Sequence, residues 1–275
     1  MLVNLNAILK DAYKNKYAIG AYNAYNYETM ASVARVAHEL DMPFIITFAE
    51  EHLENMSFST AYSIANSLVA GSGVLACLHL DYCTNIENVY KAIRAGFGSV
   101  MYDGSALSFE ENIANTKEVC KVAKACGLSV EAKIDGLSNK DNSDGTRKFT
   151  DPALAKQFVE ETDICALSVS IGTVRGMYQS EPNIRTDILK EINKAVNIPL
   201  ALHGGSGTPE PIIKECIQNG IAKISVNTEI SMNVMENTKK YLQENPNIHY
   251  SELSKMQNNW AKEVVRKYCN IFENN

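Results

Sequence analysis

Apolar residues recur along the chain in short blocks separated by polar, periodically patterned segments. The blocks are "YAIGAYN" (17–23), "PFIITFA" (43–49), "VLACLHLD" (74–81), "SVMYDG" (99–104), "LSVEAKID" (128–135), "ICALSVSIG" (164–172), "PLALHGG" (199–205) and "AKISVNT" (222–228). Several are nearly continuous in apolar character, the pattern of parallel strands covered on both faces. The intervening segments read as helices. Met30, Val33, Ala34, Ala37 and Leu40 form one apolar stripe at helical spacing. Ser108-Phe109-Glu110-Glu111 is a capping-box pattern, and Gly127 suits the stop of the helix it starts. Asp151-Pro152 places a side-chain acceptor before a ring already set for the first turn.

Eight strand-then-helix units predict an α/β fold of the (β/α)8 TIM-barrel type. A doubly wound open sheet is the alternative, but no G-x-G-x-x-G follows the first strand. The 275 residues, 45% hydrophobic, suffice for one large core, so a single domain over 1–275 is expected. Residues 230–275 read as terminal helices packing on the barrel or on a second subunit.

Composition narrows the partners. The net charge is −6 and no basic block occurs, which argues against nucleic acid. No apolar run approaches the ~18–20 residues needed to span a bilayer. The first residues show no signal-peptide pattern, and seven scattered cysteines without a CxxC read as reduced thiols, so a cytoplasmic location is expected.

Barrel chemistry lies at the C-terminal ends of the strands. Polar residues there are Asn23, Glu50, Glu51, His79, Asp81, Cys83, Asp103, Glu131, Lys133, Asp135, Thr173, Arg175, His203, Gly204, Gly205, Ser206, Ser225, Asn227 and Thr228. Strand alternation puts His79 with Asp81, and Glu131 with Lys133, on shared faces. "HGGSG" (203–207) and "SVNT" (225–228) follow strands seven and eight, where barrels bind phosphate through backbone N–H groups and a helix start. Asp81 suits proton transfer; the alternative is a structural pair with Lys133 or Arg175. His79 reads as an orienting core residue and His203 as a ligand candidate. His38 and His249 read as surface residues, whereas His52 follows two acids in a loop and could visit the site.

The segments "GAYNAYNYETM", "HLDYCTNIENVYKAIRAGFGSVMYDGSALSFEENI", "GLSVEAKIDGL", "FTDPALAKQFVEET", "SIGTVRGMY", "LALHGGSG" and "AKISVNTEI" carry a resemblance over essentially the whole chain. The sequence resembles the class II, zinc-dependent fructose-bisphosphate/tagatose-bisphosphate aldolases. The resemblance implies a (β/α)8 barrel, a dimer or higher oligomer, and cleavage of ketose bisphosphates to dihydroxyacetone phosphate and an aldehyde. By position it implies Asp81 as the proton-transferring carboxylate and His203 as one zinc ligand. Gly176, Gly204, Gly205, Ser206 and the Ser225–Thr228 stretch match the phosphate segments, and Asn23 a polar residue of the first strand.

The departures from that pattern concern the metal. Tyr82 stands where the family has a ligand histidine after the aspartate, and Arg175 where it has a second. Lys133 replaces a glutamate near the metal, Ser225 an asparagine, and Ala49 a serine. Charged Lys and Arg have no lone pair to donate, and two cations beside a dication repel strongly at interior dielectric. No cofactor is therefore expected, although a rearranged set of Asp81, Cys83, His203 and Glu131 is conceivable. Lys133 could replace the metal as a Schiff-base nucleophile, its pKa lowered by Arg175 and by desolvation. Alternatively, Lys133 and Arg175 serve as fixed electrostatic stabilisers of an enolate. Three further readings stay open: a protein that binds sugar phosphates without turnover, a lyase whose substrate carries an extra carboxylate gripped by Arg175, and an internal ion pair of Lys133 with Asp81 or Glu131.

Overall fold

The structure, a computed structural model, describes residues 1–135 and 149–273. In chain order its elements are α1 (Leu5–Asn15), β1 (Ile19–Asn23), α2 (Tyr27–Leu40), β2 (Phe44–Ala49), α3 (Phe58–Val69), β3 (Ala76–Cys83), α4 (Ile86–Ala95), β4 (Ser99–Asp103), α5 (Phe109–Ala125) and β5 (Ser129–Lys133). They continue with α6 (Pro152–Thr162), β6 (Ala166–Val169), α7 (Thr186–Val196), β7 (Leu200–Leu202), α8 (Glu210–Gln218), β8 (Ile221–Val226), α9 (Thr228–Glu244) and α10 (Tyr250–Phe272). The eight strands are all parallel and close into a barrel in sequence order, β8 pairing back onto β1. This is a TIM barrel followed by two C-terminal helices.

Local chemistry sets the helix starts. Ser108 and Glu111 cap α5 reciprocally, and Asp151 accepts from the amides of Ala153 and Leu154 at the start of α6. On α2, Met30, Val33, Ala34 and Ala37 are buried against the barrel, as the apolar stripe requires.

Helix α1 was not anticipated, although its signal is present: Asn4 caps it, and Leu5, Ile8, Leu9 and Ala12 recur at helical spacing. Those four side chains pack on Ile19, Ala21, Ile45, Cys77, Ala166 and Ala222, which belong to five of the eight strands. Being apolar, this assembly closes the N-terminal end of the barrel and confines polar groups to the other end.

The C-terminal helices begin at Thr228, two residues before the expected boundary. Helix α10 packs on α2, α8, α9 and β1. The Asn258 amide donates to the Glu28 carbonyl and its oxygen accepts from Arg35, so α10 is keyed polar-to-polar onto α2. Among the described residues no helix is long and apolar enough to cross a membrane.

Replacing Ser108 by Ala removes one half of the α5 capping box and leaves an amide without its partner. We expect a loss of about 1 kcal/mol in urea-unfolding free energy, within the usual range for N-caps, and no change in ligand binding at the far end of the barrel.

Candidate functional site

The inward-facing positions of the barrel carry a chain of polar contacts. His79 on β3 meets Ser99 on β4 through Nδ1 at 2.6 Å. Its Nε2 lies 3.2 Å from the Lys223 ammonium of β8. Lys223 donates to Glu131 Oε2 on β5 at 2.7 Å, and Glu131 Oε1 lies 2.9 Å from His203 Nε2 just past β7. All of these groups are essentially inaccessible to solvent. The network assigns its own protons: Lys223 has only donors, so His79 Nε2 accepts, and the Glu131 carboxylate takes a proton donor from His203.

Burial alone would raise the Glu131 pKa, but the Lys223 ammonium and the His203 hydrogen bond overcome it and hold the carboxyl well below its usual range. His79 is pushed well below the ordinary imidazole value, by burial first and by Lys223 second.

Above this layer lies a cavity lined by Asn23, Glu51, Asp81, Tyr82, Arg175, Gly176, His203, Gly204, Ser206, Ser225, Asn227 and Thr228. Sequence reasoning had placed ten of these at the site, and the structure brings all ten together. The two additions are Glu51, collected as a strand-end acid without a role, and Tyr82, seen only as a missing ligand.

Several buried polar atoms here have no hydrogen-bond partner: both Asp81 oxygens, His203 Nδ1, Ser225 Oγ and Thr47 Oγ1. Each such group costs about 1–3 kcal/mol when left unsatisfied, so their concentration at one cavity marks a place where binding matters more than stability. Asp81 has Lys223 Nζ at 3.9 Å, too far for a hydrogen bond but close enough for attraction, and the neutral His79 Nε2 at 3.8 Å.

Tyr82 takes a left-handed φ of 47°, uncommon for a side chain of its size, at an irregularity in the pairing of β3 with β4. Its ring meets that of His203 edge-on at 4.7 Å. Lys133 Nζ lies 5.1 Å from the Tyr82 ring centre and the Arg175 guanidinium 5.7 Å from it. The two cations therefore flank an aromatic ring, an attractive arrangement. Burial first, then Asp81 and Asp103, raise the Tyr82 pKa well above its ordinary value and keep the phenol protonated.

Two expectations about Lys133 need correction. Its ion-pair partner is Asp103, at 3.7 Å, rather than Asp81 or Glu131. Its pKa is lowered by burial, against the pull of Asp103 and Asp81, and Arg175 is not among the leading causes. Arg175 is instead committed to Glu51, Nη2 to Oε1 at 2.6 Å, with both side chains half exposed. Lys133 is also absent from the cavity wall. The buried cation that does pair with Glu131 is Lys223. Strand alternation held the clue: Lys223 lies two residues before Ser225 and shares its inward face.

The rearranged metal set fails on Cys83, whose thiol faces Glu50 and the Asn85 carbonyl away from the cavity. Glu50 itself is structural, accepting from Thr84 and Asn88 at the start of α4. His52 packs on Tyr25 and Phe48 outside the cavity lining.

The glycine loop is built by close approach. A Cβ on Gly204 (φ +80°) would fall 2.4 Å from the Val174 carbonyl oxygen, and the Gly205 N–H donates to the Ser225 carbonyl at 2.9 Å. The Gly205 amide is thus used internally and the residue does not reach the cavity, unlike its neighbours. Ser206 Oγ accepts from the amides of Asn227 and Glu229, so the β7 loop caps α9 and the two segments form one unit.

The mouth of the TIM barrel thus gathers a buried carboxylate, a glycine turn and the N-terminus of α9 around one cavity. The class-II fructose-bisphosphate aldolase family signature matches residues 3–275, and the chain belongs to that family. It is 35% identical over 247 residues to sulfofructosephosphate aldolase of Alkalicoccus urumqiensis, covering 88% of this chain and 86% of the relative. It is 34% identical over 251 residues to 6-phospho-5-dehydro-2-deoxy-D-gluconate aldolase of Bacillus subtilis strain 168, covering 90% and 87%. Among solved structures it superposes on the YdjI aldolase of Escherichia coli K12 with a TM-score of 0.89 at 33% identity, covering 99% and 97%.

Two predictions follow from the buried network. Lys223→Met leaves Glu131 charged and without its buried cation, and should lower the unfolding free energy by about 3–5 kcal/mol, whereas the double variant Lys223→Met/Glu131→Met should recover most of it; equilibrium urea unfolding measures both. The second concerns pH. Because His79 titrates below its unfolded value, the unfolded chain takes up that proton first, and stability declines once the pH falls below ~6.5. Glu131 adds stability that is complete above its unfolded pKa of ~4.3 and is lost as the pH falls through its lower folded value. The unfolding free energy should be level between pH ~7 and ~8 and fall below ~6.5, with His79→Gln removing the upper part of that decline. A profile level to pH ~5 would contradict the neutral, buried His79.

Proposed function

We propose that this protein is a carbon–carbon lyase of the aldolase type that cleaves a phosphorylated ketose without the family's zinc. The observation carrying the reading is the convergence of unpartnered Asp81, His203 and Ser225 atoms on one cavity beside the Ser206–α9 cradle. The substrate phosphate is assigned to Gly204, Ser206, Asn227 and Thr228, where backbone amides and the α9 dipole favour an anion. A dihydroxyacetone-phosphate-type product, a cytoplasmic location and a dimer belong to the same reading.

The residues at the ligand positions do not fit zinc. Tyr82 is a protonated phenol and Arg175 has no lone pair, so of the family's three ligand positions only His203, through its unpartnered Nδ1, could donate to a metal, short of the three protein ligands that a catalytic zinc takes. Among the described residues no three His, Cys, Asp or Glu side chains are grouped to hold a metal.

The Asp81 carboxylate takes the proton of the hydroxyl on the carbon to be released. The carbon–carbon bond breaks, the hydroxyl carbon leaves as an aldehyde, and the electron pair moves onto the ketone oxygen as an enolate. The proton held by Asp81 then returns to the enolate carbon. Arg175, with Lys133 behind the Tyr82 ring, stabilises the enolate charge. Because Lys133 stands back from the cavity, its electrostatic role is better supported than a Schiff base.

A second reading is favoured by Arg175, which lines the cavity and is half exposed. It could exchange Glu51 for a carboxylate or sulfonate on the substrate. The names of both relatives denote phosphorylated substrates with a further acid group.

Purified protein should contain well under one zinc per chain and cleave its substrate equally in chelator, and Asp81→Asn should lose at least ~10²-fold in kcat. Stoichiometric zinc with chelator-sensitive cleavage would overturn the metal-free reading, and phosphate binding without any aldehyde would leave a binding protein. Arg175→Met should raise KM at least ~10-fold for substrates with a second acid group and little for those without.

A further inference from the structure

The phosphate loop rests on the C-terminal helix. Tyr268 on α10 is almost wholly buried, and its hydroxyl sits under the Gly205–Gly207 turn. The Gly207 amide donates to Tyr268 Oη at 3.1 Å. Tyr268 in turn donates to Glu229 Oε2 at 2.5 Å, with the Gly205 carbonyl at 3.3 Å. A phenol has one proton, so the shorter contact takes it and the hydroxyl is used in both directions.

Glu229 lies in the first turn of α9, and its backbone amide is one of the two bound by Ser206 Oγ. Its other oxygen meets Lys267 Nζ at 2.5 Å. Lys267 also lies 5.1 Å from the Tyr268 ring centre. The carboxylate next to the cradle is therefore neutralised from α10, which spares a bound anion its repulsion.

One hydroxyl thus joins both halves of the cradle, the turn after β7 and the start of α9, to a helix whose Tyr268 lies 61 residues beyond Gly207 in the chain. Gly207 is at φ +74°, a position without side-chain packing of its own to hold it. Orientation of the loop falls to its hydrogen bonds.

We propose that Tyr268 is a positioning residue for phosphate recognition, and that docking of α10 and occupation of the phosphate site are thermodynamically coupled. The inference rests on the phosphate assignment made under Proposed function. Coupling of this kind is reciprocal: whatever α10 contributes to phosphate affinity, phosphate returns to the docking of α10.

The test uses the full chain and inorganic phosphate. In Tyr268→Phe, which keeps the ring and its packing, the phosphate dissociation constant should rise ~3–10-fold, and with a cleavable substrate KM should rise while kcat stays within a factor of ~2. A merely structural role would lower the melting temperature without that split. In the wild-type chain, phosphate should slow amide exchange over residues 264–272, an outcome that needs no variant. Unchanged phosphate affinity in Tyr268→Phe, or exchange in α10 indifferent to phosphate, would overturn the coupling while leaving the phosphate site intact. Failure of the wild-type chain to bind phosphate at all would overturn the site itself, and the coupling with it.

Discussion

The site depends on one ion pair. Lys223 and Glu131 are buried in the barrel interior and joined at 2.7 Å, and neither could stay charged there alone. Through them, His79 and His203 are oriented from two further strands. Replacing the pair with apolar residues of similar volume could leave the barrel as stable or more so. Its presence is better explained by what it orients than by what it stabilises. It fixes the face that His203 turns to the cavity and sets a positive charge beneath Asp81.

The two ends of the barrel are built on opposite terms. At the N-terminal end α1 fills the opening with leucine, isoleucine and alanine. At the other end buried oxygens and a ring nitrogen lack partners, and Tyr82 holds a left-handed backbone. Strain of this kind persists only where surrounding structure over-determines it. Here the paired strands, the flanking cations and the His203 ring do so.

The strands were legible because each is short, apolar and punctuated, and their order followed from the handedness and adjacency of β-α-β units. Even β7, only three residues long, was marked by the Pro199 before it and the glycines after it. The cavity residues were legible because strand ends are where polar residues interrupt apolar runs. What could not be read was pairing across the barrel. Arg175 with Glu51 and Lys133 with Asp103 are choices among several acids that strand alternation leaves equivalent, and only the barrel's radius and stagger decide them. Lys223 is legible in principle, as a lysine on an inward position, although it sits inside an apolar run. Likewise the Tyr268 contact joins residues 61 apart, beyond any local pattern.

Fixed cations differ from a metal in a way that bears on the proposed chemistry. A metal ion brings charge and open coordination positions together, so it can grip a ketone oxygen directly. Arg175 and Lys133 bring charge on covalent arms, each already answered by a carboxylate, Glu51 and Asp103. Those carboxylates let two cations coexist around one aromatic ring, and they also weaken what the cations offer a substrate. An anionic substrate group that displaces Glu51 would release the Arg175 field into the cavity at the moment of binding. In that arrangement the electrostatic stabilisation of an enolate is conditional on the substrate carrying a group for Arg175, so recognition of that group and acceleration of the bond cleavage would draw on the same guanidinium.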